Sequence, residues 1–263
     1  MFNYQSAVTA LAMFSALFSV TFNIQASTTT LDTQQVKQLV IKADAYRMEG
    51  TSARVISLVH LYNAGQLEKT RQYNVYSRPN RQSLVVFKSA VEAGQKMLML
   101  EDNFWLQMPK SRRPIRITPM QKLLGDASVG DISTLTWSDD YQGEWRGNET
   151  INDENNTAYP THLIELNAKT NGASYQRIEL WLEQSTGFPI KANLYLRSGK
   201  LAKQAYFSRG MRNDAMAVTA MTLHDAIQAD KKTVIEYQSI TPWQLDDKFY
   251  NPSFLARNST SEL

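Results

Sequence analysis

The sequence contains no cysteine and only three histidines among its 263 residues. The absence of cysteine excludes disulfides, thiol nucleophiles, cysteine-ligated metals and a lipid-modified cysteine after a leader. The histidines, His60, His162 and His224, are far apart and show no metal-ligand spacing. We therefore expect a protein with no metal and no cofactor.

The sequence also lacks a strong excess of charge of one sign. Its 28 Lys and Arg residues face 25 Asp and Glu residues, for a net charge of +3. A dedicated nucleic-acid binder normally has a basic face that dominates its charge balance. The chain has one short basic cluster, formed by Lys110, Arg112, Arg113 and Arg116. Its charge pattern indicates that nucleic acid is not the partner.

Motifs of catalysis are missing as well. The sequence has no nucleophile elbow, no phosphate-binding loop and no dinucleotide fingerprint. The adjacent acids Asp139–Asp140 and Asp246–Asp247 occupy turn-like segments and are expected to be solvated, and "GDASVGD" from Gly125 lacks the ligand rhythm of a calcium loop. We therefore predict that the protein is not an enzyme.

Long hydrophobic runs are absent except at the N-terminus. Residues 1–26 carry no charged side chain, and Ala7 to Ile24 is almost continuously apolar or small. This pattern predicts a signal peptide cleaved after Ala26, with an uncleaved membrane anchor as the alternative. The remainder, residues 27–263, is predicted to be one exported domain without a stable membrane anchor, located in the periplasm if the cell is bacterial.

One amphipathic helix is predicted directly after the leader. Asp32 or Thr33 can cap it, and Gly50 ends the pattern. Apolar residues recur at helical spacing along one face. They are Val36, Leu39, Val40, Ala43 and Tyr46.

The rest of the chain alternates with a period of two between short turns. About ten strands at such intervals predict a large antiparallel sheet, which must curl to bury one face. Further helices are predicted only at "PMQKLLGDA" near Met120 and "DAIQAD" near Asp225. The expected fold is mostly β (α+β), a curled, unclosed sheet over a few helices, with an apolar cavity that these elements do not fill.

Several strands have one consistently apolar face, and methionine recurs beside them. Methionine suits surfaces that adapt to varied apolar partners, although gap-filling in an ordinary core remains the alternative. We select ten residues as candidates to line the cavity and contact lipid. They are Met97, Met99, Phe104, Leu106, Met108, Ile178, Leu180, Leu182, Leu194 and Leu196.

The basic cluster follows the predicted strand "NFWLQM", which Pro109 ends because proline has no N–H to donate. Its four cations, Lys110, Arg112, Arg113 and Arg116, are candidates for contact with anionic headgroups or an acidic partner at the barrel rim. A solvated turn that protects a sheet edge from aggregation is the alternative.

Four segments together resemble the LolA-like outer-membrane lipoprotein-sorting family. They are "KADAYRMEG", "NFWLQMPKSRRPIRITP", "LLGDASVGDIS" and "ITPWQLDDKFYNPSFLAR". The resemblance implies an unclosed antiparallel barrel, covered by helices, whose apolar cavity shelters acyl chains in the periplasm. It further implies a lipid or acylated protein as cargo, and an inner-membrane transporter or outer-membrane acceptor as partner. "PMQKLLGDASVGDI" would be a mobile cover over the mouth, and a periplasmic sensor of lipid or protein is the alternative function.

Overall fold

A computed structural model describes residues 30–48, 52–133, 136–226, 230–257 and 263. The predicted leader, residues 1–26, lies outside these residues. Within them, no helix is long and apolar enough to cross a bilayer.

The predicted N-terminal helix is confirmed as α1 (Thr33–Arg47). Asp32 caps it: its carboxylate accepts from the N–H of Gln35 at 2.8 Å, and the Gln35 side chain accepts from the Asp32 N–H at 2.9 Å. This reciprocal capping box satisfies two amide donors that the first helical turn leaves open. The helix buries Val36, Val40 and Ala43. Its first residue and its buried face are therefore those that the sequence predicts.

The remaining regular structure is almost entirely strand. The first half comprises β1 (Ala53–Asn63), β2 (Gln66–Arg78), β3 (Gln82–Phe87), β4 (Lys96–Leu100), β5 (Asn103–Gln107), β6 (Ile115–Ile117), β7 (Lys122–Leu124), β8 (Ala127–Ser128) and helix α2 (Val129–Ser133). The second half comprises β9 (Tyr141–Asn152), β10 (Ala158–Ala168), β11 (Arg177–Glu183), β12 (Pro189–Tyr195), β13 (Leu201–Arg212), β14 (Ala215–Asp225), β15 (Lys231–Pro242) and helix α3 (Pro252–Leu255).

Thirteen strands form one antiparallel sheet in the order β6-β5-β4-β3-β2-β1-β15-β14-β13-β12-β11-β10-β9. Because the order is linear, the sheet has two free edges, β6 and β9, and is not closed. Several turns are tight: Ala64–Gly65 and Asn213–Asp214 both have positive φ at two successive residues, the geometry that suits the twist of two-residue hairpins. The predicted unclosed antiparallel fold is confirmed.

The predicted number of strands was too low. Sequence reasoning omitted β6, which has three residues between prolines and cations, and β14, whose sequence "AMAVTAMTLHD" lacks clean alternation. The pattern is absent in β14 because both of its faces are partly covered along its length.

Of the two further helices expected from the sequence, the one at "PMQKLLGDA" is not formed. "PMQKLLGDA" forms the hairpin β7–β8, with Gly125 at φ +56 in its turn. A left-handed residue at that point interrupts helical hydrogen bonding. In "DAIQAD", Asp225 ends β14 and residues 227–229 lie outside the described residues.

The sheet buries apolar side chains on both faces. The large cluster on the concave face includes the buried residues of α1, β7, β8 and α2. A smaller cluster on the convex face contains Tyr76, Leu84 and Leu98 and is covered by the C-terminal segment through Phe249 and Leu255.

Arg81 connects distant parts of the curled sheet. Its guanidinium lies 2.8 Å from Asp102, in the β4–β5 turn, and 2.6 Å from Asp140, just before β9. Thr170, after β10, donates to Asp140 at 2.5 Å, and the N–H of Gly172 donates to Asp102 at 2.9 Å. Segments near the two ends of the strand order are thus joined by hydrogen-bonded charges.

Candidate functional site

The concave face contains most of the residues predicted to line a cavity. Seven of the ten candidates are buried in the single large apolar cluster. They are Met97, Met99, Phe104, Ile178, Leu180, Leu182 and Leu194. Leu106 is half-buried and packs against the same cluster, whereas Trp105 packs against the convex cluster. Strand alternation thus places these eight side chains on one face of the sheet.

Two candidates lie outside the strands. Met108 follows the last residue of β5 and is 41% exposed, so it does not line the interior. Leu196 follows β12 and lines a separate groove of about 210 Å³ together with Met120, Lys200 and Lys203. In both cases the strand ends before the alternation in the sequence does.

The concave face is filled by a segment that the sequence analysis placed over the mouth. We call residues Lys122–Ser133, which contain β7, β8 and α2, the plug. Its apolar residues Leu124, Ala127, Val129 and Ile132 are buried in the same cluster as the sheet. The segment's apolar residues thus pack against the sheet, and its movement as a cover stays a prediction.

A buried carboxylate anchors the plug. Asp131 accepts hydrogen bonds from the Ser128 N–H at 2.8 Å, the Ser128 hydroxyl at 2.6 Å and the Tyr175 hydroxyl at 2.7 Å. The ammonium of Lys203 lies 2.7 Å from Oδ2 of Asp131, the oxygen that also accepts both hydrogen bonds from Ser128. We call these four residues the latch. It joins the plug to β13 and to the β10–β11 loop.

The contacts within the latch shift the pKa of Asp131 and of Tyr175. Burial alone would raise the pKa of Asp131, but the Lys203 ammonium and the Ser128 donors outweigh it and hold that pKa below its ordinary value. Burial and the neighbouring Asp131 charge raise the pKa of Tyr175 well above its ordinary value. The latch is thus a fully hydrogen-bonded ion pair, the condition under which buried charges are tolerated.

Close packing holds the rest of the plug. A β-carbon added at Gly130 would lie 1.8 Å from the Ser174 hydroxyl, and one added at Gly125 would lie 2.3 Å from the Thr233 hydroxyl. The Asp126 N–H donates to that Thr233 hydroxyl at 2.9 Å, and Lys203 also donates to the Asp126 carbonyl. A side chain at either position therefore fits only if the neighbouring side chain moves or is replaced, because the plug backbone touches its neighbours directly.

A small cavity remains beside the latch. It has a volume of about 40 Å³ and is lined by latch residues together with apolar residues of the sheet. The lining includes Arg47, Asp131, Trp137, Tyr141, Tyr175, Ile178, Leu194, Ala205, Phe207 and Met221.

A second buried carboxylate supports the wall of this cavity. Asp44 accepts from the N–H groups of Trp137 at 2.6 Å and Ser138 at 2.8 Å. Burial raises its pKa to about 6, although Arg47 and these donors act in the opposite direction. The Arg47 guanidinium lies 4.1 Å from the centre of the Trp137 ring. Helix α1 is thereby joined to the segment that leads into β9.

An open groove lies between α1 and the edge strand β9. It has a volume of about 260 Å³, and its lining combines Val40, Tyr141 and Gly143 with Lys37 and Lys169. Tyr141 lines both this groove and the small inner cavity. The side chain of Tyr141 is therefore a wall that the groove and the inner cavity share.

The predicted rim cations are exposed. Lys110, Arg112 and Arg113 lie in the turn between β5 and β6, and Arg116 lies in β6. Arg116 donates to the Asn103 side chain at 2.5 Å and lies 4.7 Å from the centre of the Trp105 ring. The other three form no ion pair with any described residue.

The remaining polar candidates are structural. Among the described residues there is no group of three or more His, Asp or Glu side chains that could hold a metal. His60 and His224 lie 3.3 Å from Glu236 and Glu154, and His162 lies 2.6 Å from Asn148. Asp140, expected in solvent, is buried by its contacts with Arg81 and Thr170.

Sequence reasoning missed the latch. Ser128 and Asp131 lie in "GDASVGD", which shows no ligand rhythm, and no local pattern links them to Lys203. The available signal was the position of Lys203 in β13, where it shares the inward face with Ala205 and Phe207. A lysine on an otherwise apolar strand face requires a buried partner.

Comparisons with known proteins agree with this architecture. The model of a family described as "Uncharacterized protein" matches residues 79–257. A LolA superfamily protein from Nitrosomonas europaea is 28% identical, with a TM-score of 0.74 over 82% of this chain and 97% of that chain. The comparison with curated proteins found no match.

Two more distant structures share the fold. A DUF1329 family protein from Desulfovibrio piger is 21% identical, with a TM-score of 0.67 over 85% of this chain and 98% of that chain. A domain from Vibrio parahaemolyticus described as an outer membrane lipoprotein-sorting protein is 19% identical, with a TM-score of 0.67 over 86% of this chain and all of that chain. The LolA-like fold expected from the sequence is confirmed.

Proposed function

This chain belongs to the family of proteins whose model it matches over residues 79–257, and we propose that it is a carrier that shelters acyl chains against its concave face. Its cargo is a lipid or an acylated protein. The relatives named for LolA and for lipoprotein sorting support this class of cargo, and the function requires no catalytic group.

The observation that carries the proposal is the way the interior is filled. The concave face of a thirteen-stranded sheet is apolar, yet part of it is covered by a short plug rather than by a further layer of structure. Each CH₂ removed from water stabilises a bound chain by about 0.8 kcal/mol. An apolar face of this extent can therefore hold an acyl chain once the plug has moved.

The plug has to move because the remaining space is small. Ligand pockets typically have volumes of about 300–1,000 Å³, whereas the inner cavity has about 40 Å³. The groove between α1 and β9 is larger, at about 260 Å³, and shares the wall residue Tyr141 with the cavity. We assign the groove as the path by which the chain enters, with Lys37 and Lys169 at its opening.

The location and partners follow from the same proposal. The predicted leader, residues 1–26, would place the mature protein in the periplasm. Acyl chains cannot cross that aqueous space unaided, so the carrier would accept cargo from an inner-membrane transporter and release it to an outer-membrane acceptor. The other eight cavity-lining candidates remain candidates once Met108 and Leu196 are set aside, and two of them, Ile178 and Leu194, line the inner cavity.

The first test is native mass spectrometry of the mature protein purified from its own periplasm, followed by organic extraction and lipid analysis. A stoichiometric lipid or acylated protein is the expected result. A protein that purifies empty and does not bind a fluorescent acyl probe would contradict the carrier and favour the sensor.

A pair of matched variants locates the site. Ala205 lines the inner cavity, whereas Ala53 is buried in the same cluster but lies in β1, three strands from β13 in the sheet order, and does not line the cavity. Replacing either alanine with leucine overfills the core and costs about 1–3 kcal/mol of stability. We expect only Ala205→Leu to weaken binding of the acyl probe, and equal binding by the two variants would place the site elsewhere.

A further inference from the structure

The turn between β5 and β6 combines charge and apolar surface in a way that the carrier function does not require. Lys110, Arg112 and Arg113 are exposed there, and Asp and Glu are absent from residues 107–122. We define the basic tip as residues Met108–Arg113 together with Val91 and Ile115.

The basic tip is held in shape by its own hydrogen bonds. The Gln107 side chain donates to the carbonyls of Met108 at 2.8 Å and Ser111 at 2.7 Å. The Ser111 N–H donates to the Met108 carbonyl at 3.0 Å, and its hydroxyl donates to the Arg113 carbonyl at 2.5 Å. The cations therefore project from an ordered turn, which lowers the entropy cost of binding.

Exposed apolar side chains surround these cations. Met108 is 41% exposed and Ile115 is 55% exposed. Val91, in the β3–β4 loop, is 71% exposed, and that loop reaches the tip because a β-carbon on Gly94 would lie 3.2 Å from Pro109. Large apolar side chains that are exposed together are typical of a surface that binds a membrane or another protein.

The acidic residue of the β3–β4 loop, Glu92, already interacts with residues of β2. Glu92 lies 3.4 Å from Arg71 and accepts from the Tyr73 hydroxyl at 3.5 Å. The positive charge of the tip is therefore not neutralised by its neighbouring loop.

We propose that the basic tip docks this protein on membranes rich in anionic phospholipid. Lys110, Arg112 and Arg113 would contact the phosphate groups, and Val91, Met108 and Ile115 would enter the boundary between headgroups and acyl chains. This combination favours a lipid surface over an acidic protein, because both the charges and the apolar side chains are satisfied there. The proposal does not depend on the cargo.

Co-sedimentation of the mature protein with lipid vesicles tests this membrane docking in the absence of cargo. The wild-type protein should co-sediment with phosphatidylcholine vesicles that contain phosphatidylglycerol, but not with phosphatidylcholine alone, and binding should weaken as salt is added. Each cation near an anionic surface contributes about fivefold, so Lys110→Gln/Arg112→Gln/Arg113→Gln should weaken binding on the order of 100-fold at low salt.

The matched control removes the same charge elsewhere. Arg197, Lys200 and Lys231 are exposed and lie in or beside strands distant from β6 in the sheet order. Their triple glutamine variant should bind within a few-fold of wild type. Equal loss in the two triple variants would show a general charge effect and overturn the proposal.

Two further measurements separate the contributions. Val91→Ser/Met108→Ser retains the cations and should bind at low salt but dissociate at lower salt than wild type. Binding of the wild type to poly-glutamate without binding to phosphatidylglycerol vesicles would assign the tip to an acidic protein and overturn the membrane proposal.

Discussion

The ammonium of Lys203 lies 2.7 Å from the carboxylate of Asp131, and both side chains are buried within the sheet. The two residues are 72 positions apart in the chain. Their pairing joins the plug to strand β13. In the proposed carrier, this contact must separate before the concave face becomes available to cargo.

Removing one member of the latch should be costly. Lys203→Met leaves the Asp131 carboxylate buried without its counter-ion, a change worth about 3–5 kcal/mol of stability. Urea unfolding of Lys203→Met should show this loss. The double variant Asp131→Asn/Lys203→Met removes both charges and should recover part of it, whereas additive losses would show that the two groups are not coupled.

Gly130 should not tolerate a side chain. The added β-carbon of Gly130→Ala would lie 1.8 Å from the Ser174 hydroxyl and 2.8 Å from its β-carbon. Overpacking of this kind costs about 1–3 kcal/mol. Thermal or urea unfolding should record the loss, and Gly130→Ala/Ser174→Gly should restore much of it. A stable Gly130→Ala protein would mean that the plug is not held closely against the β10–β11 loop.

Arg81 should stabilise the curled sheet more than an ordinary surface arginine does. Arg81→Met leaves Asp140 buried without its cation, so we expect a loss of about 3–5 kcal/mol in urea unfolding. Arg78 provides the control, because its partner Asp247 is 93% exposed. Arg78→Met should cost less than about 1 kcal/mol. Equal losses would contradict the role assigned to Arg81.

Asp44 should make stability depend on pH between about 4 and 6. Its pKa is raised from 3.8 to about 6 by burial, so the folded state binds the proton more tightly than the unfolded state does. This contribution is fully present below pH 3.8 and is lost as the pH rises through 6. The total is about 3 kcal/mol.

The measurement compares wild type with Asp44→Asn across this range. The unfolding free energy of wild type should fall relative to that of the variant as the pH rises from 4 to 7. Parallel pH profiles would show that Asp44 titrates normally in the folded protein.

Local signals in the sequence predicted local structure well. The capping residue and helical spacing of α1 lie within one short segment, and the alternation of β11 and β12 fixes which of their side chains face inward. The prediction failed where local patterns end early, as at Met108 and Leu196. It also failed for "PMQKLLGDA", where contacts with the sheet decide the conformation.

The latch and the Arg81 contacts could not be read from the sequence. Ser128, Asp131, Tyr175 and Lys203 come together only because the sheet curls around the plug, and no short spacing encodes that arrangement. The inward lysine in β13 indicates that a partner exists, but it does not identify Asp131. Pairings of this kind become visible only when the fold is known.

A disulfide between the plug and the sheet tests most directly whether the plug must move before cargo binds. The sequence has no cysteine, and a β-carbon on Gly125 would lie 3.5 Å from that of Thr233, within the range that a disulfide spans. The variant Gly125→Cys/Thr233→Cys can therefore lock the plug under oxidising conditions and release it under reducing conditions, with Thr233→Cys as the control.

The quantity to measure is the affinity for a fluorescent acyl probe in both redox states. We expect the reduced double variant to bind the probe, the oxidised form not to bind it, and Thr233→Cys to bind it in both conditions. Equal binding by the oxidised and reduced double variant would contradict the claim that cargo occupies the concave face after the plug has moved.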